Sequence, residues 1–103
     1  MIKVSVTKGR QGDIRTLKVR NHGDPIVCAA VSVLVLNTVN SIEALTDEKF
    51  SCNYAEEGGF LEISFQDTPL GRDARLLTDS LMLGLKSIIE EYPGNIRIEE
   101  VAI

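Results

Sequence analysis

The chain has few residues of the kinds that carry side-chain chemistry. Its 103 residues include one histidine, His22, and two cysteines, Cys28 and Cys52. A zinc site draws on paired Cys or His ligands at short spacing, and neither pairing is present, so no metal is expected. Two thiols allow one disulfide at most. Gly58-Gly59 lacks the helix and lysine that follow a phosphate-binding loop, and no cofactor is expected. There is no basic run: 11 Lys and Arg are scattered among 15 Asp and Glu, for a formal net charge of −4. Nucleic-acid readers concentrate positive charge in a patch or stripe, so direct binding to DNA or RNA is not expected. The apolar segment Cys28–Leu36 is interrupted by Ser32, ended by Asn37 and too short to span a bilayer, so no membrane partner is expected. The opening Met-Ile-Lys-Val-Ser-Val lacks the apolar region of a secretory signal. A cytoplasmic protein with reduced thiols is the expectation. Repeats, linkers and low-complexity runs are also missing.

What is there fits one soluble domain over residues 1–103, with 44% hydrophobic and 25% charged residues. Ile2–Thr7 alternates apolar and polar residues, as a half-buried strand does. A Gly-containing turn over residues 8–13 leads to a second strand through Arg20, whose alternation slips near Thr16. Phe50, Cys52 and Tyr54 mark one face of a strand over Lys49–Ala55. Glu56-Glu57-Gly58-Gly59 is a hairpin turn, and Phe60–Phe65 returns. Thr68-Pro69 is a cap-then-proline signal for a helix from about Pro69 to Glu91, and Tyr92-Pro93-Gly94 stops it. Gly84 inside that helix suggests close approach of another backbone. Asn95–Val101 is the last strand. The order β-β-α-β-β-α-β predicts an α+β fold, a small two-layer sandwich of two helices on a mainly antiparallel sheet.

The stretch from Asn21 to Leu45 organises the rest. Asp24 suits the N-cap, because its carboxylate accepts from free first-turn amides. Pro25 suits the first helical position, where its missing N–H costs nothing. A helix from Pro25 to Leu45 is therefore expected, apolar nearly all round in its first half and so buried. Cys28 then falls on the first turn, at the positive end of the helix dipole, where thiolate is favoured over thiol. Ser32 lies one turn on, on the same face. His22 is six residues ahead of Cys28, across a short turn. A thiolate beside a base is the equipment of nucleophilic catalysis, and first-turn amides are candidate oxyanion donors. Asp24 is a candidate to orient the imidazole, in competition with its use as a cap. Against this stands the ordinary reading of Cys28 as a small core side chain, and of Cys52 likewise.

The run Ile26-Val27-Cys28-Ala29-Ala30-Val31-Ser32 after a histidine, with Gly59-Phe60-Leu61-Glu62-Ile63, Leu81–Ile88 and Glu91-Tyr92-Pro93, resembles the Prp family. These are the ribosomal-processing cysteine proteases of bacteria. The resemblance covers nearly the whole chain. It implies a small α/β sandwich that forms homodimers. It also implies a cysteine endopeptidase that removes a short N-terminal extension from the precursor of a large-subunit ribosomal protein. Cys28 would be the nucleophile, His22 its general base and Ser32 a supporting residue; Asp24 is a supporting residue by the helix-start reading above, not by the resemblance. Asn21 and Gly23 flank His22 where the family has Gly before and a small residue such as Ala after. The segment from His22 to Cys28 is several residues shorter than the family's, with Pro25 where Asp is usual. The alternative function is a non-catalytic dimeric binding module of the same fold, associated with ribosome assembly.

Overall fold

The computed structural model describes residues 1–67 and 69–102. Five strands form one sheet, β1 (Ile2–Lys8), β2 (Ile14–Arg20), β3 (Phe50–Tyr54), β4 (Phe60–Phe65) and β5 (Ile96–Ala102), and two helices, α1 (Pro25–Leu45) and α2 (Arg72–Glu91), complete the chain. The sheet order is β3-β4-β2-β1-β5. Neighbours are antiparallel except β1 and β5, which pair in parallel with Ile2 opposite Ile96. This is the expected β-β-α-β-β-α-β order, with one parallel pair where α2 carries the chain across.

Alternation decides which face of the sheet is covered. Ile2, Val4 and Val6 of β1 are fully buried, and with Leu61, Ile63 and Phe65 of β4 they pack against Val27, Val31, Val35 and Ile42 of α1 and Leu81, Met82 and Leu85 of α2. The slip near Thr16 is a bulge. Thr7 pairs Thr16 but Lys8 pairs Ile14, so Arg15 is the extra residue. That is why Ile14 and Leu17, three apart, are both buried.

Two expectations need correction. The helix expected from Pro69 starts at Arg72, with Gly71 at the N-cap and no side-chain cap; the expected cap at Thr68 lies outside the described residues. The delay has a physical cause. The amide of Leu70 donates to the buried carboxylate of Asp13 at 2.9 Å, and that of Gly71 to Glu48 Oε1 at 2.8 Å. First-turn amides find no acceptor inside a helix, and here two side chains distant in sequence supply it while Gly71 stays extended, so the helix begins only after it. The second correction concerns α1. Only one side of it is buried, through Val27, Val31, Val35, Thr38, Val39 and Ile42. Ile26 and Val33 are about two-thirds exposed, at 66% and 67%.

Gly84 marks a close approach, but of a side chain rather than a backbone. A Cβ built there would lie 2.9 Å from Leu34 Cδ1, at the contact between α1 and α2. In an open helix, Gly→Ala gains about 1 kcal/mol. Gly84→Ala is expected to show none of that gain, because Leu34 must leave its packed position, and overpacking costs about 1–3 kcal/mol. Chemical denaturation checks this, and a full gain of about 1 kcal/mol would contradict the packing described.

Candidate active site

Three joints meet at one end of the sheet. The first is the exit from β2. Asn21 is the one non-glycine residue with positive φ among the described residues, at 74°. Asn tolerates this left-handed conformation better than most residues. Its amide donates to the Gly59 carbonyl at 2.9 Å, which ties the end of β2 to the β3–β4 turn.

The second joint is that turn. Gly58 and Gly59 both have positive φ, 84° and 83°. The imidazole of His22 lies directly on them. A Cβ at Gly59 would sit 2.6 Å from His22 Nε2 and 3.1 Å from Cδ2, whereas one at Gly58 would be 3.4 Å from Cε1. The absent side chain of Gly59 is therefore the seat of the ring.

The third joint is the start of α1. Only Gly23 and Asp24 separate His22 from Pro25, the first residue of α1. Asp24 is the N-cap: its Oδ1 accepts from the amides of Ile26 at 2.9 Å and Val27 at 3.4 Å. The amide of Cys28 donates to the Asp24 carbonyl at 2.8 Å. Two expectations change as a result. Asp24 supports the site by fixing the helix start, and no hydrogen bond joins its carboxylate to His22. The first-turn amides are not free to hold an oxyanion, since two are capped, one is in the helix ladder and Pro25 has none.

Cys28 is half-buried and opens onto a cleft of about 420 Å³ between α1 and the β3–β4 turn. Ser32 lines the same cleft one turn further along, opposite Tyr54, Glu56 and Gly59. The structure thus brings Cys28 and Ser32 to one wall, and His22 onto the glycine turn that forms the other. No hydrogen bond joins the imidazole to the thiol. Cys52 is placed differently. It is half-buried on β3 against the core, and burial pushes its thiol pKa up. The second role of Gly58-Gly59 was missed in the sequence. A pair of glycines is enough to make a hairpin turn, and nothing local says that an imidazole will use the vacant Cβ space.

The family model for the cysteine protease Prp matches residues 1–97. The chain belongs to the Prp family. As a member, it is a cysteine protease. It is 34% identical over 104 residues to the ribosomal processing cysteine protease Prp of Staphylococcus aureus, covering 95% of this chain and 97% of that one. Identity to the Bacillus subtilis protein of the same description is 30% over 80 residues, covering 75% of this chain and 71% of that one. Two crystal structures of the essential S. aureus Prp superpose closely. The one with a covalently linked product peptide gives a TM-score of 0.92 at 34% identity, covering 98% of this chain and all (100%) of that one. The one with a substrate peptide gives 0.90 at 32% identity with the same coverage, 98% and 100%.

The ring seat is testable without turnover. Gly58→Ala and Gly59→Ala strain backbones of nearly equal positive φ, at a cost of roughly 1–2 kcal/mol each. Only Gly59→Ala is expected to displace the ring. With a single histidine in the Prp chain, its ring resonances report directly: large shifts for Gly59→Ala, small ones for Gly58→Ala. Equal shifts in both would contradict the seat.

Proposed function

We propose that this Prp protein is a cytoplasmic endopeptidase that removes a short N-terminal extension from the precursor of a large-subunit ribosomal protein. In this reading Cys28 is the nucleophile and His22 the general base. The observation that carries it is the placement of the Cys28 thiol. It sits on the first turn of α1 and lines a cleft whose opposite wall includes Gly58 and Gly59, the two glycines on which the exposed His22 ring rests; His22 itself does not line the cleft. The curated relatives, described as ribosomal processing proteases, and the peptide-bound S. aureus structures support the substrate class.

The chemistry follows from these groups. His22 takes the thiol proton as sulfur attacks the scissile carbonyl carbon and the C–S bond forms. The protonated imidazole then gives that proton to the departing amine as the C–N bond breaks, leaving a thioester. Water, deprotonated by His22, attacks the thioester carbonyl; the C–S bond breaks and the thiol is restored. The Ser32 hydroxyl faces the same cleft and is a polar contact for the substrate backbone.

A homodimer belongs to the same reading. Ile26, Ala29 and Val33 form an exposed apolar stripe on α1, on the side turned away from the core. By length and composition alone the helix is apolar enough to cross a membrane. Its packed face marks it as a core helix, and its bare face suits a second copy of the chain.

Cys28→Ala is expected to abolish cleavage of the extended ribosomal protein while leaving the fold intact. Mass measurement of the substrate after incubation, with circular dichroism of the variant, checks both. Cleavage at the wild-type rate by this variant would overturn the proposal.

A further inference from the structure

The Cys28 cleft does not end at Ser32. A second depression of about 700 Å³ continues it along α1, and Leu36 and Tyr54 line both. On the helix side the wall is a single stripe, Cys28, Ser32, Leu36, Asn40 and Glu43, spaced four, four, four and three residues apart. At about 1.5 Å of rise per residue, the stripe from Cys28 to Glu43 is about 22 Å long. An extended peptide advances about 3.3 Å per residue, so the groove matches six or seven residues of strand, roughly.

The facing wall is β3, which is the edge of the sheet and is paired only on the β4 side. The Ala55 amide donates to the Phe60 carbonyl at 3.1 Å, and the Gln66 amide to the Lys49 carbonyl at 3.2 Å. These bonds set the phase of the ladder. The odd-numbered residues of β3 turn their backbone groups to β4, and those of Phe50, Cys52 and Tyr54 face outward. The side chains of these same three residues line the groove. Edge strands are usually blunted by proline, lysine or a bulge. β3 reads Phe-Ser-Cys-Asn-Tyr and has none of these. At the far end of the groove the charged residues are Glu43, Asp47, Glu48 and Lys49; Glu48 accepts from the Gly71 amide, and none of the four forms an ion pair among the described residues.

We propose that one flank of the substrate, about six residues long, lies extended in this groove and adds to the edge of β3 as a further strand. Alternate residues then pair with the outward amides and carbonyls of Phe50, Cys52 and Tyr54. Its apolar side chains pack near Leu36 and Val39, and a basic residue meets Glu43 and Asp47. The inference rests on Cys28 being the nucleophile only in saying which end of the groove holds the scissile bond.

A backbone N-methyl scan of peptides spanning the cleavage site tests the pairing. It is read as kcat/KM on the wild-type protein and as Kd on Cys28→Ala. On one flank, methylation at alternate positions is expected to weaken both by at least fivefold, with little effect at the positions between. Lengthening that flank should improve both up to about six residues and no further. Loss at every position, at none, or only beside the scissile bond overturns the groove. Glu43→Gln with Asp47→Asn should raise Kd severalfold for a peptide with Lys at the far end but not for one with Ala there; equal effects overturn the charge contact. Period-two binding without wild-type turnover keeps the groove and contradicts the protease reading of Cys28. Turnover without the period does the reverse.

Discussion

The start of α1 depends on one carboxylate. Asp24 holds the amides of Ile26 and Val27, and its carbonyl accepts from Cys28, so the helix is fixed at Pro25. That start sets what each later position faces. Val27, Val31, Val35 and Ile42 go to the core, while Cys28, Ser32, Leu36 and Asn40 go to the cleft and its continuation. Successive residues differ by about 100° around the helix. A one-residue slip would therefore bury the thiol and expose a core valine. Replacing an N-cap Asp typically costs about 1 kcal/mol, but here the same bond also positions the proposed nucleophile.

His22 belongs to the same joint. Only Gly23 and Asp24 separate it from Pro25, and its ring rests on the turn that Asn21 ties to β2. The imidazole and the thiol are thus carried by elements locked to one another by short links and main-chain bonds. Order in such a site comes from backbone geometry. Asn21 and Gly59 both adopt left-handed backbone angles, one to turn the chain and the other to leave room for the imidazole.

The sequence revealed the fold where the cause was local. α1 was read with its observed bounds because Asp-Pro is a strong start signal and the segment that follows is too long for a strand. β2 was found, and its slip near Thr16 is the bulge at Arg15. Where the cause was remote the reading went astray. α2 begins late because Asp13 and Glu48 hold the amides of Leu70 and Gly71, and no local pattern announces that. The first half of α1, apolar nearly all round, was expected to be buried, but one sheet and one neighbouring helix cover only part of its circumference. At the site, residue types and spacing made His22 and Cys28 candidates, with Ser32 on the same face, beside the ordinary reading of the cysteine and serine as packing residues. Spacing could not show that the first-turn amides were already engaged, or that a glycine turn from another hairpin would seat the ring.

The central claim is that a lone imidazole makes one of two thiols reactive. Alkylation of the folded protein by iodoacetamide across pH tests it most directly, with each thiol followed by peptide mass and Cys52 as the internal reference. Burial raises the Cys52 pKa, so this thiol should label slowly until the solution is well alkaline. The account predicts that Cys28 labels at least tenfold faster than Cys52 at pH 7, and that His22→Gln removes most of that advantage. Slow labelling of both thiols at similar rates, unchanged by His22→Gln, would contradict it.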